Sequence, residues 1–139
     1  MKKLILISFL LVSCASLTPS QRSILTQVET FALNTAVGAA SAYVTGGATS
    51  PAFIANSIDG GAQLVRSIIG TQAAANPQAI QAAVAAGSVS TVVDNKIAPP
   101  VAQNAAAAIK AGADPNAVIE ATAKGLNQAA TELRAKANP

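Results

Sequence analysis

The chain has 139 residues, enough for one ordinary domain. Hydrophobic residues make up 51%, charged residues 11% and aromatics 3%, which excludes a charge-driven disordered chain. The formal net charge is +3, and the single cysteine with no histidine excludes an intrachain disulfide framework and a Cys/His zinc site.

Lys2 and Lys3 form a short basic region, and Leu4 to Val12 follow as an apolar run interrupted only by Ser8. That run is far shorter than the roughly 20 residues a spanning helix needs. It fits an export signal. Leu11-Val12-Ser13-Cys14 comes next. This tetrad resembles the lipobox of bacterial lipoproteins: an aliphatic residue, a small or β-branched residue, a small residue, then the cysteine. The resemblance covers residues 1–14. It implies cleavage between Ser13 and Cys14, and lipidation of Cys14 by a thioether-linked diacylglycerol and an N-acyl chain, with palmitate as the expected kind of fatty acid. Residues 1–13 would then be a signal peptide, 14–18 the lipidated cysteine with a short tether, and 19–139 a helical domain. Each buried methylene contributes about 0.8 kcal/mol, so two or three chains hold a protein on a bilayer where one does not. Lipoproteins of this kind with Asp after the cysteine are retained at the inner membrane. Ala15 stands there instead, which implies the outer membrane, periplasmic face, in a Gram-negative host, or the exterior of the cell membrane in a Gram-positive one. Two plainer readings use the same residues: an ordinary signal-peptidase site at Ser13-Cys14-Ala15, or an uncleaved anchor.

Loss of residues 1–13 would remove Lys2 and Lys3 and bring the chain close to neutrality. The remaining cations, Arg22, Arg66, Lys96, Lys110, Lys124, Arg134 and Lys136, are scattered and have no aromatics among them. A nucleic-acid surface needs a basic stripe, so no nucleic-acid partner is expected.

Helix start signals recur along the rest of the chain. Thr18-Pro19, Ser50-Pro51, Asn76-Pro77 and Asp114-Pro115 each set a capping side chain before a proline. Gln21 completes a capping-box pattern with Thr18. Gly46-Gly47, Gly70 and Gly87 read as helix stops. The expected helices cover 19–44, 51–69, 77–86, 100–111 and 115–136. A piece at 90–97 is ambiguous, because Val89, Thr91, Val92 and Val93 favour a strand or loose turn. With no second strand to pair with it, a short helix is preferred, closed by Pro99-Pro100, which also opens the next helix. The sum is an all-α, Ala-rich bundle of about five helices.

In the first helix Ile24, Leu25, Val28, Phe31, Ala32, Ala36, Ala39 and Tyr43 form one apolar arc, and Leu33, Val37, Ala40 and Val44 form a second nearly opposite. Such a helix is expected at the centre of its bundle, or in contact with membrane or a partner. In the last helix Val118, Ile119, Thr122, Leu126, Ala129, Ala130 and Leu133 share one face at the helical period. Glu120, Lys124, Asn127, Thr131 and Arg134 take the other side. Glu120–Lys124 and Glu132–Lys136 are spaced for intrahelical pairs worth about 0.2–0.5 kcal/mol each. A weak internal repeat aligns Asn76–Gly87 with Asp114–Gly125; a true duplication would give stacked helix pairs.

Residues for chemistry are sparse. No histidine is present for acid–base work near neutrality. Lipidation would consume the Cys14 thiol. Glu29, Asp59, Asp94, Asp114, Glu120 and Glu132 are dispersed, and no pair has the spacing of a metal or glycosidase site. Asp114 reads as a helix cap, and Asp94 as a second candidate cap. Asp59-Gly60-Gly61, within an apolar helical pattern, fits either a close helix crossing or a backbone ligand site. No phosphate loop or nucleophile elbow occurs. No catalytic, metal or cofactor-binding residue is therefore assigned.

The expected function is that of a non-catalytic, lipid-anchored envelope protein. Its partners would be the membrane, through the acyl chains on Cys14, and an envelope protein or a second copy of the chain. The alternatives are a membrane-active protein, suggested by Gly38-x3-Ala42 and Ala36-x3-Ala40, a phage lysis or exclusion lipoprotein, and a carrier of a small apolar ligand.

Overall fold

The computed structural model describes residues 19–45, 50–87 and 91–137. The Ser13-Cys14 cleavage site, the Thr18 cap and the Gly46-Gly47 stop lie outside the described residues. Five helices and a single 3₁₀ turn account for nearly all of what is described, and no strand occurs there. The helices are α1 (Pro19–Thr45), α2 (Pro51–Ser67), α3 (Pro77–Gly87), α4 (Thr91–Lys110) and α5 (Pro115–Ala137), with the 3₁₀ turn at Gln72–Ala75.

Three of the expected caps are made. Ser50 accepts a hydrogen bond from the Phe53 amide at 3.2 Å, Asn76 from the Gln78 amide at 3.0 Å, and Asp114 from the Ala117 amide at 3.1 Å. Each satisfies a backbone donor that the first helical turn leaves unpaired. At the other ends, Gly70 (φ +83°) turns the chain after α2. Gly112 (φ +102°) does so after α4. There the Gly112 amide donates to the Ile109 carbonyl and the Ala113 amide to the Ala108 carbonyl, at 3.0 and 3.1 Å. Those two bonds make a Schellman motif, and its usual apolar contact joins two buried alanines, Ala108 and Ala113.

Pro99-Pro100 neither closes one helix nor opens another; α4 runs through both. Interior prolines cost about 3 kcal/mol through a lost amide donor and a ring clash. Packing on both sides of the pair offsets this. Ile97 and Ala98 before the prolines, and Val101 and Ala102 after them, are all buried. These residues form a continuous i, i+4 face, so a break at the prolines would remove it from the core. The ambiguous segment is thus helical from Thr91 onward.

The helices alternate in direction, but chain neighbours are not always spatial neighbours. α5 lies between α1 and α2 and packs extensively on both; α3 packs on α2 and α4, and α4 on α1. The order around the bundle is therefore α1, α5, α2, α3, α4 and back to α1. Consecutive α4 and α5 touch little, as do α1 and α2, so stacked repeat pairs are absent.

The central helix is α5, not α1. On α5 the whole expected face is buried, and Ala121, Ala123 and Gly125 extend the buried surface around the helix. On α1 only Val28, Ala32, Ala36 and Ala40 are fully buried, a narrow stripe at every fourth position. Leu33, Val37 and Val44 are only half-buried, and Phe31 is 38% exposed. The second arc of α1 thus widens its contact face rather than forming an opposite one.

Small residues set the spacing of the helices. A side chain at Gly125 would collide with the Glu29 carbonyl and lie 2.7 Å from the Ala32 side chain. A Cβ at Gly60 would lie 2.5 Å from the Gly87 carbonyl. One at Gly87 would strike the backbone of Gly60 and Gly61. The Asp59-Gly60-Gly61 segment is thus a close helix crossing, α2 on α3. Ile54, Ile80, Ile97, Ile119, Leu126 and Leu133 fill the core between these contacts.

Candidate functional site

The polar groups that the bundle does bring together lie along the α2–α5 contact. Asp59 pairs with Arg134, and Arg66 pairs with Glu120 at 3.3 Å. Asn127 sits between them: its amide donates to Asp59 at 2.7 Å, and its side-chain oxygen accepts from Arg66. Arg134 also donates to Asn56 at 2.8 Å. At the end of the same contact, the Gly70 amide donates to the Asn116 side chain at 2.9 Å.

Helix geometry explains this seam. Glu120, Asn127 and Arg134 recur every seven residues and so form one nearly straight row on α5. Asn56, Asp59 and Arg66 form the facing row on α2. On both helices the acid precedes the base along the chain, and the two run antiparallel, so acid meets base at each end. Arg66 and Arg134 also lie in last helical turns, where the helix dipole favours cations. A parallel arrangement would set acid against acid. All four charged side chains keep between a quarter and a half of their surface exposed. Pairs of that kind contribute about 0–1 kcal/mol each. The seam fixes direction and register more than it adds stability.

Glu120 was expected to pair with Lys124 and Glu132 with Lys136. Glu120 turns instead to Arg66, because this side of α5 faces α2, and Lys124, Glu132 and Lys136 stand exposed. The seam was legible only in part. Residue spacing shows the polar rows, but not that α2, distant in the chain, lies opposite.

The other acids are set apart. Asp114 is occupied as a cap, and Glu29 lies on α1 beside the Gly125 crossing. Asp94 falls within α4 and not at the position before its first turn, where a cap residue would stand. Among the described residues no three His, Cys, Asp or Glu side chains could together hold a metal ion. The buried hydroxyls are internally satisfied: Thr122 donates to the Val118 carbonyl at 2.8 Å and Ser57 to the Phe53 carbonyl at 3.1 Å.

Two surface clefts flank α1. One, about 140 Å³, lies between α1 and α4 and is lined by Ile24, Gln27, Val28, Asn104, Ala107 and Ala111. The other, about 300 Å³, is a shallow open depression beside Phe31, with Thr26, Gln27, Thr30 and Asn34. Neither is the enclosed apolar chamber that carriage of a small ligand requires. No helix among the described residues is long and apolar enough to cross a membrane. No protein-family model, no curated protein and no solved structure matches this chain.

Proposed function

We propose that this chain is a lipid-anchored cell-envelope protein that acts by contact rather than by turnover. The observation that carries the reading is the Leu11-Val12-Ser13-Cys14 tetrad behind a basic pair and a short apolar run. The folded part adds one observation that supports it: helix α1 starts at Pro19, five residues beyond Cys14. Ala15 places the protein at the outer membrane of a Gram-negative host, facing the periplasm, or outside the cell membrane of a Gram-positive one. The partner is an envelope protein or a second copy of the chain. The exposed side of α1, where Phe31 projects and nothing approaches Gly38, is the surface offered to it.

Metabolic labelling with an alkynyl fatty acid tests the proposal. The native chain should take up label and sediment with membranes. Cys14→Ser should take up none and accumulate as the uncleaved precursor. Equal labelling of both would refute the assignment of Cys14.

The membrane-active reading retains one observation. Gly38 and Ala42 form a small-x3-small pair on the open side of α1, while Ala36 and Ala40 are buried inside the bundle. Dye release from vesicles on adding the mature chain would favour that reading.

A further inference from the structure

The alternating helix directions gather the start of α1, the α4–α5 turn and the α2–α3 connection at one end of the bundle. The cleft that joins Ile24 and Val28 to Ala107 and Ala111 places the beginning of α1 beside the end of α4. The bond from Gly70 to Asn116 ties the end of α2 to the beginning of α5. This end presents Ile69, a large apolar side chain 36% exposed at the tip of a turn. It also carries the exposed cation Lys110. The nearby acid Asp114 is engaged as a cap.

We infer that this end of the bundle lies on the membrane surface, with Ile69 at the headgroup boundary, Lys110 facing anionic lipid, and the helices standing away from the bilayer. The inference rests on the lipid anchor proposed above and adds the orientation of the domain and the face that meets lipid. Reach argues for it. Five residue steps from Cys14 to Pro19 span at most about 18 Å. Helix α1, with 27 residues, is about 40 Å long. The beginning of α1 is therefore always close to the lipid, and its far end reaches the bilayer only if the domain lies on its side. Ile69 and Lys110 give this end an apolar and a cationic group of the kind that settles at an anionic interface. Phe53 is 41% exposed at the opposite end and Lys136 lies there too, so the reach from Cys14 decides between the two ends; the α2–α5 side presents a charge-balanced seam, and the outer side of α1 is mostly uncharged polar residues.

The chain has one cysteine, and acylation would consume its thiol, so an introduced cysteine can be labelled selectively. Full-length Ile69→Cys and Gln72→Cys probe the membrane end, Ala52→Cys and Ala86→Cys the opposite end, and Asn34→Cys the side of α1. Each is purified from membranes, labelled with an environment-sensitive maleimide dye, and reconstituted into phosphatidylethanolamine–phosphatidylglycerol vesicles containing spin-labelled lipid. The labels at 69 and 72 should shift to the blue and lose fluorescence to the spin label, while those at 52, 86 and 34 should not. Quenching at 34, or quenching equal at both ends, would overturn the inference and leave the anchor intact. Dye uptake by the unsubstituted chain at Cys14 would instead refute the anchor, and the orientation with it.

Discussion

Four glycines of this bundle occupy three physical situations, and substitution should separate them. Gly38 lies inside α1 with nothing within 4 Å of an added Cβ. There alanine removes only a backbone-entropy penalty, so Gly38→Ala should stabilise the protein by about 0.5–1 kcal/mol. Gly70 and Gly112 also have open space, but their φ angles are positive. Alanine at either should cost about 1–2 kcal/mol by conformation alone. Gly125 has an ordinary helical conformation but no room, because the α1 backbone at Glu29 and the Ala32 side chain occupy the space. Gly125→Ala should cost about 1–3 kcal/mol as α1 is pushed from α5. Thermal unfolding of the detergent-solubilised full-length protein, followed by circular dichroism, should rank them in that order. Stabilisation by Gly125→Ala would contradict the close crossing. The caps at Ser50, Asn76 and Asp114 were legible because a capping side chain and the following proline are adjacent in sequence. The crossing at Gly125 was not, because its partner lies on a helix at the other end of the chain, and a glycine inside a helical pattern gives no hint of what approaches it.

At the scale of elements, two features decide how the helices are laid down. The first is the polar seam between α2 and α5. A double-mutant cycle with Asp59→Asn and Arg134→Gln should return a coupling energy below about 1 kcal/mol, and it should shrink as salt is raised. A coupling several times larger and insensitive to salt would mean that the seam is a buried network rather than a register device. The second is the proline pair inside α4. Restoring two amide donors should outweigh the added freedom of the unfolded chain, so Pro99→Ala/Pro100→Ala should raise stability by about 1–2 kcal/mol. Unchanged stability would mean that α4 is kinked enough at the pair to lose nothing there. The expected face of α5 was borne out residue by residue, because every large side chain on it points to the core and the period is unbroken. For α4, the local signal of two prolines outranked the periodic one in the sequence-based expectation. In the folded chain the buried row Ile97, Ala98, Val101 and Ala102 outranks the prolines. The α1 expectation erred in geometry: at the helical period Leu33, Val37, Ala40 and Val44 lie beside the Val28, Ala32 and Ala36 stripe and not opposite it, so they widen one interface and do not create a second.

For the whole molecule, the all-α, Ala-rich architecture follows from composition: alanine favours helix, and small side chains let helices approach closely. The order of helices around the core does not follow, because placing α5 between α1 and α2 depends on contacts between residues far apart in the chain. The functional reading belongs to this scale too, and its source is the first 14 residues, not the bundle. In the proposed reading the folded domain would supply a short reach from the anchor, a membrane-facing end, and an exposed side of α1 for a partner. The central claim is that acyl chains on Cys14 hold this domain to an envelope membrane. Intact mass measurement of the N-terminal peptide, released from membranes of the native host, tests it most directly. The account predicts a peptide that begins at Cys14 and carries the added mass of a diacylglyceryl group and an N-acyl chain. An unmodified peptide, or one that begins at Met1 or Ala15, would contradict it.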